Sequence, residues 1–192
     1  MSEKVFLEVQ KLGLLIRNIR EERGMSVNDL AESTNLSRSV ISKFERGQTD
    51  IQLSTTVRIL SSMSLTLDDL CSAAVFSEFD MIELAEKAYR YTNDLSVLTR
   101  IHTELTSKKT LLKHERIFKS IIEMKINNSL MLSEEVVDYF ENLEKILTFD
   151  AYLTILVKPF IQGWLVKHIN RILGDENTYR TPVVQLAWEA YQ

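Results

Sequence analysis

The sequence contains few of the residues that interrupt or cross-link a chain. Its 192 residues include five glycines, two prolines and one cysteine. So little glycine and proline favours helices over a β architecture, which is rich in turns. The single cysteine, Cys71, cannot form an internal disulfide, which fits the reducing cytoplasm. We therefore expect an all-α, cytoplasmic protein.

Long apolar runs and targeting segments are also missing. The longest apolar region, 151–166, is interrupted by Lys158, Pro159 and Gln162, and is too broken for a transmembrane helix. The N-terminus lacks the basic-then-apolar order of a signal peptide. A composition of 45% apolar and 26% charged residues is ordinary for a globular protein of one or two domains. We expect no membrane partner.

The motifs of common enzymes and metal sites are absent as well. The sequence has no glycine-rich phosphate loop, nucleophile elbow or paired zinc-ligand motif. His102, His114 and His168 lie far apart, and none has a second His or Cys at ligand spacing. We therefore expect no catalytic residue, no metal and no cofactor.

What the sequence does contain is a segment, GMSVNDLAESTNLSRSVISKFERG, that predicts two short helices joined by a tight turn. Ser26 and Asp29 have the spacing of a capping box, which satisfies the free N–H groups that begin a helix. Asn35 interrupts the helical pattern and tolerates the left-handed conformation of a turn. Ser37 begins the second helix as its N-cap, and Gly47 ends it.

The second of these helices has two different faces. Val40, Ile41 and Phe44 share an apolar face. The other face is basic and rich in hydroxyls, and it carries Arg38, Ser39, Ser42 and Lys43. A major groove admits a helix with one core face and one face of hydrogen-bond donors. The segment therefore predicts a helix-turn-helix that binds double-stranded DNA.

Charge is distributed unevenly around this helix. The formal net charge of the chain is −4, yet no acid occurs between Ser33 and Phe44. An acidic remainder can orient a protein so that only its basic face meets phosphate. The modest basic charge predicts few phosphate contacts per subunit and hence a homodimer on DNA.

The combined pattern R-x-x-R-x-x-x-G-x-S…L-A…S-x-S-x-I-S-x-x-E-R-G, from Arg17 to Gly47, resembles the phage-repressor-like (XRE or Cro/C1-type) family. With the helices that follow, the resemblance covers about a third of the chain. It implies a lambda-repressor-like domain over 10–72, after an N-terminal segment, 1–9. Its five helices would be Leu12–Glu22, Val27–Ser33, Arg38–Arg46, Ser54–Ser62 and Leu67–Ser72.

The resemblance also implies that Arg38, Ser39 and Lys43 stand where bases are read. The residue types agree, since Arg38 and Lys43 are long donors that can reach guanine O6 and N7. Ser39 and Ser42 can bond several bases.

Three other residues of the segment each have two possible interpretations, and Glu45 has a structural one. Ser26 and Ser37 contact phosphate or serve only as N-caps, and Arg46 contacts phosphate or is solvated. Glu45 would repel DNA, and the family pairs this carboxylate with an arginine of the first helix, here Arg20. The resemblance therefore implies a structural ion pair that fixes the recognition helix.

The second part of the chain, 79–192, follows a short linker, 73–78, and shows helical apolar spacing throughout. It predicts antiparallel helices of about 14 to 18 residues, arranged as a helical-repeat domain. We expect Ser133 and Asp150 to be N-caps, and Thr181 with the proline after it to begin the last helix.

The strings SRSVISKFERG, SLTLDDL and SEEVVDYF…LTFDAY resemble the Rgg/MutR-type regulators of Gram-positive bacteria. The resemblance implies an N-terminal helix-turn-helix, a C-terminal superhelix of tetratricopeptide-like (TPR-like) repeats, and dimers. Several members bind short signalling peptides in the concave face of the repeats, so a peptide partner is a hypothesis here. Such regulators are usually longer than this chain. Because the later repeats would be missing, four residues of this chain would cover a partner subunit or form an exposed patch: Trp164, Leu186, Trp188 and Tyr191.

Two functions follow from these observations. The first is a transcriptional regulator whose homodimer reads an imperfect inverted repeat, with a ligand in the C-terminal helices controlling the two readers. The alternative is a protein-interaction module, antitoxin-like or antirepressor-binding, whose DNA binding serves autoregulation.

Overall fold

The computed structural model describes residues 3–72, 80–129, 132–178 and 180–192, and every regular element in these ranges is a helix. The predicted all-α fold is therefore confirmed. The chain divides into two units, Met1–Glu78 and Phe79–Gln192. The linker predicted at 73–78 lies outside the described residues.

The N-terminal unit has the five predicted helices, and four of them agree with the prediction to within one residue at each end. They are α1 (Glu3–Glu22), α2 (Val27–Thr34), α3 (Arg38–Glu45), α4 (Leu53–Ser62) and α5 (Leu67–Ser72). The exception is α1, which begins at Glu3 and not at Leu12. No glycine or proline interrupts the intervening residues, and Val9 is buried with Leu12. Most of the predicted N-terminal segment is thus helix.

The local signals around α2 and α3 form as predicted. Asp29 N–H donates to Ser26 Oγ at 3.1 Å, and Ser26 N–H donates to an Asp29 carboxylate oxygen at 2.7 Å, which completes the capping box. Asn35 ends α2 in the left-handed conformation with φ 52°. Ser37 Oγ accepts the N–H of Val40 at 3.3 Å. These caps fix where both helices begin.

One assignment on α3 was wrong. Ile41 and Phe44 are fully buried in the N-terminal core, but the side chain of Val40 is 40% exposed. The buried stripe of α3 runs through positions 41, 44 and 45, the i, i+3, i+4 spacing of one helix face. Val40 lies at the edge of this stripe.

Gly13 permits the close approach of α1 to the end of α3. A Cβ atom at this position would lie 2.1 Å from the carbonyl oxygen of Phe44 and 3.3 Å from Cα of Glu45. Both obstacles are backbone atoms, so neither can rotate away. The position of the recognition helix therefore depends on a residue without a side chain.

We expect Gly13→Ala to destabilise the N-terminal unit by about 1–3 kcal/mol, because the added methyl overpacks the α1–α3 contact. Inside an ordinary helix the same change would stabilise by about 1 kcal/mol. Asn18→Ala, at an exposed position of α1, is the control and should be neutral or slightly stabilising. Chemical denaturation followed by circular dichroism measures both, and a stabilised Gly13→Ala would contradict the argument.

The C-terminal unit consists of seven α-helices within the described residues. They are α6 (Asp80–Arg90), α7 (Leu95–Ser107), α8 (Lys113–Asn127), α9 (Glu134–Glu141), α10 (Thr148–Val157), α11 (Trp164–Leu173) and α12 (Pro182–Tyr191). Their lengths of 8 to 15 residues are mostly below the predicted 14 to 18. Pro159 lies in a short 3-10 helix, Lys158–Phe160, that separates α10 from α11.

Capping signals in this unit are confirmed with one exception. Ser133 and Thr181 each accept an N–H of the first turn, in α9 and α12 respectively. Asp150 is not an N-cap, since α10 begins three residues earlier than that role requires. Its carboxylate instead accepts the N–H of Leu147 at 3.1 Å and the hydroxyl of Tyr139 at 2.5 Å. The pKa of Tyr139 is raised, mainly by burial and to a smaller extent by this hydrogen bond.

The four residues expected to cover a partner subunit or form an exposed patch differ in burial, and Trp188 is half-buried. Trp164 and Leu186 are 54% and 44% exposed, but Tyr191 is buried. The hydroxyl of Tyr191 donates to the carbonyl oxygen of Thr154 at 2.9 Å. Burial raises the pKa of this phenol. Tyr191 therefore anchors α12 to α10, and the expectation for it was wrong.

We expect Tyr191→Phe to destabilise the C-terminal unit by about 1 kcal/mol, because it removes one buried hydrogen bond while keeping the ring. The loss is moderate because the Thr154 carbonyl still accepts the N–H of Lys158. Urea denaturation followed by tryptophan emission measures it. Tyr91→Phe, at a half-exposed tyrosine, is the matched control. Equal midpoints for the two variants would contradict the anchoring role.

Candidate nucleic-acid interface

One side of α3 presents free polar side chains to solvent. Arg38, Ser39, Lys43 and Arg46 are exposed, and Ser42 is half-buried. In the described part of the chain, none of these five side chains forms a hydrogen bond or ion pair with another residue. By contrast, the exposed Arg90 is paired with Glu86. The donors of α3 are therefore available to an external partner.

The two serines at the helix starts are both N-caps, and they differ in whether the hydroxyl hydrogen is free. The oxygens of Ser26 and Ser37 accept backbone N–H groups of α2 and α3. A hydroxyl that accepts still has its own hydrogen to donate. Ser37 is exposed, so phosphate contact and capping are compatible there, whereas the Ser26 hydroxyl also forms a hydrogen bond with the Asp29 carboxylate.

Beneath α3, Arg20 and Glu45 form a buried two-pronged ion pair. Arg20 Nε donates to Glu45 Oε1 at 2.6 Å, and a terminal guanidinium nitrogen donates to Oε2 at 2.9 Å. The side chains are only 6% and 4% exposed. The other terminal nitrogen of Arg20 donates to the carbonyl oxygen of Met25 at 2.7 Å. One guanidinium thus links α1, the turn before α2, and the end of α3.

This pair also shapes the charge that the interface presents. The hydrogen bond to Glu45 raises the pKa of Arg20, so the guanidinium stays charged and neutralises the carboxylate. At the start of α2, hydrogen bonds with Ser26 hold the pKa of Asp29 below its usual range. The acid of α3 consequently points into the unit, and the cations of α3 point out.

Sequence reasoning missed three contributors to this arrangement. The carbonyl of Met25 is a partner of Arg20 that no sequence pattern marks. Gly13 and the exposure of Val40 were also missed. A glycine inside an otherwise unbroken helical pattern was the one available signal, because it usually marks a close backbone approach.

Two other kinds of site, a metal centre and a membrane span, are absent from the described residues. No group of three or more His, Cys, Asp or Glu side chains there is arranged to hold a metal ion. None of the helices described is both long and apolar enough to cross a membrane.

Comparison with known proteins places a helix-turn-helix domain on the same residues. The helix-turn-helix family model matches 16–70. A stretch of 66 residues, 34% of the chain, is 33% identical to the HTH-type transcriptional regulator DdrOP3 of Deinococcus deserti. The chain spans about half, 51%, of that curated relative. The N-terminal unit therefore carries a helix-turn-helix domain of the XRE type.

The fold of almost the whole chain is similar to that of solved structures. The SHP pheromone receptor Rgg2 of Streptococcus dysgalactiae matches with a TM-score of 0.70 and 21% identity, over 94% of this chain and 67% of the receptor. A variant of Rgg2 in which one cysteine is replaced by serine matches with a TM-score of 0.68 and 22% identity, over 92% and 68%. The combination of an N-terminal helix-turn-helix with C-terminal helices is thus an Rgg-like fold.

Proposed function

Because the chain carries an XRE-type helix-turn-helix domain within an Rgg-like fold, we propose that it is a sequence-specific DNA-binding regulator of transcription. The observation that carries this proposal is the row of exposed, unpaired donors on α3. Such a regulator works in the cytoplasm, where bacterial DNA lies.

In this proposal α3 enters the major groove of double-stranded DNA. Arg38, Ser39, Ser42 and Lys43 contact base edges, while Ser26, Ser37 and Arg46 contact phosphates and set the orientation. The protein acts as a homodimer, so two copies of α3 meet half-sites about 34 Å apart on an inverted repeat. A few phosphate contacts per subunit are then sufficient for DNA binding, because the two subunits bind together.

Control by a ligand of the C-terminal unit is the second part of the proposal. That unit has an open groove of about 670 Å³, a volume within the range of small-ligand sites. Its walls are largely apolar and include Ile82, Tyr139, Leu147 and Phe149. The similarity to a pheromone receptor supports a peptide as the ligand. To act as a switch, the ligand must bind one state of the dimer more tightly than the other.

Fluorescence anisotropy of the purified protein tests the first part. Labelled DNA from upstream of its own gene is compared with unrelated DNA at several salt concentrations. We expect a preference for the upstream DNA that persists at physiological salt. Equal and steeply salt-dependent binding to both would indicate phosphate contact alone. No binding to either, together with a specific protein partner, would favour the antitoxin-like or antirepressor-binding alternative.

A further inference from the structure

Val40 is the one aliphatic side chain among the exposed residues of α3. It is 40% exposed, and the other exposed positions of this helix carry Arg38, Ser39 and Lys43. Ser37 accepts the N–H of Val40 at 3.3 Å, so the cap fixes the backbone that carries this side chain. A positioned apolar group therefore stands beside the unpaired donors.

Helix propensity and solubility do not favour a valine at this position. β-Branched residues lose side-chain freedom in a helix and are poorer helix formers than Ala, Lys or Glu. With 40% of its surface in water, the side chain also gains only part of the benefit of burial. Local rules are commonly broken in this way where a surface serves a function.

The major groove offers a matching apolar group. Among the four base pairs, the edges present hydrogen-bond donors and acceptors, and only thymine adds a methyl group, at C5. We propose that Val40 packs against the C5-methyl of a thymine in each half-site and thereby selects thymine. This inference rests on the proposed function, since it requires α3 to lie in the major groove.

The geometry of α3 also limits where that thymine lies. Val40 and Lys43 are three residues apart, a rise of about 4.5 Å along the helix axis. Successive base pairs are spaced by about 3.4 Å. The thymine should therefore lie within about two base pairs of the base contacted by Lys43.

A methyl-deletion scan tests the proposal. Wild-type protein first enriches a preferred duplex from a random DNA pool. Each thymine of that duplex is then replaced by deoxyuridine, which removes only the C5-methyl, and anisotropy gives the affinities of wild type and Val40→Ala. Alanine is the better helix former, so this variant should fold. Val57→Ala, at an exposed valine of α4, is the matched control.

For wild type and Val57→Ala, we expect one deoxyuridine position per half-site to weaken binding about fourfold, the effect of one buried methyl. For Val40→Ala, the same replacement should have a much smaller effect, because alanine presents less apolar surface to the thymine methyl. An equal loss with all three proteins would overturn the contact by Val40 while leaving sequence-specific binding established. A wild-type protein that enriches no sequence would overturn both the contact and the proposed regulator.

Discussion

Replacing Arg20 by alanine should destabilise the N-terminal unit by about 3–5 kcal/mol, because it leaves the carboxylate of Glu45 buried without its partner. Glu45→Ala should have a similar effect, since it leaves a buried guanidinium. A small domain has only about 5–15 kcal/mol of stability in total, so either variant loses a large share of it.

The size of this effect follows from burial and from geometry. Both side chains are almost fully buried, and Arg20 loses three short hydrogen bonds at once, two to Glu45 and one to Met25. By contrast, Arg17 and Glu21 form an ion pair on the surface of α1, with both side chains about half exposed. Such exposed pairs contribute about 0.3–0.5 kcal/mol. Arg17→Ala is therefore the matched control.

The two units can be followed separately during thermal unfolding. Both tryptophans, Trp164 and Trp188, lie in the C-terminal unit, so their emission reports that unit. Far-UV circular dichroism reports the helices of both units. We expect Arg20→Ala to add an early dichroism transition and to leave the tryptophan transition unchanged. If Arg20→Ala melted like Arg17→Ala, the pair would not hold the unit together.

An apolar replacement of the whole pair separates stability from positioning. In the double variant Arg20→Met with Glu45→Leu, no buried charge lacks a partner. Most of the stability lost in Arg20→Ala should therefore be recovered. The link from α1 to the turn at Met25 would still be missing. If the pair mainly positions α3, this double variant should fold but bind DNA more weakly than wild type.

Much of the N-terminal unit could be predicted because its signals are local. Ser26 with Asp29, Asn35 and Ser37 each act within three or four residues of chain, so the sequence contains the whole interaction. The start of α1 could not be predicted as well. A helix continues until something stops it, and no residue from Glu3 to Lys11 carries a stop signal.

The assignments were wrong where tertiary contacts determine the role of a residue. Val40 and Asp150 occupy positions whose local pattern fits two roles, and packing selects between them. Tyr191 looked like a free aromatic residue because its partner, Thr154, is distant in sequence. The polar face of α3 was predicted more fully than the C-terminal unit, since it is contained in one eight-residue helix.

Arg38→Ala should abolish the preference for the operator while the protein still forms the proposed dimer. Arg38 is exposed and unpaired, so its removal leaves no buried group unsatisfied, and the domain should keep its stability. One bidentate contact to guanine is worth about 1–3 kcal/mol. Two half-sites then give a loss of about thirtyfold to twenty-thousandfold in affinity.

Anisotropy with the preferred duplex measures this loss, and sedimentation confirms the dimer. Arg100→Ala removes the same charge from an exposed position of the C-terminal unit and should bind almost as wild type does. A loss as large in Arg100→Ala as in Arg38→Ala would mean that total charge, and not base contact, determines affinity.

Arg38→Lys distinguishes base recognition from attraction to phosphate. Lysine keeps the positive charge but lacks the planar fork of donors that matches guanine O6 and N7. If Arg38 reads a base, the lysine variant should bind unrelated DNA as wild type does and lose most of its preference for the operator. Arg46→Ala should do the opposite, weakening binding to every sequence and reducing the salt dependence by about one phosphate contact per subunit. If Arg38→Lys behaved like Arg46→Ala, Arg38 would contact phosphate. Ser39 and Lys43 would then be the residues that recognise bases.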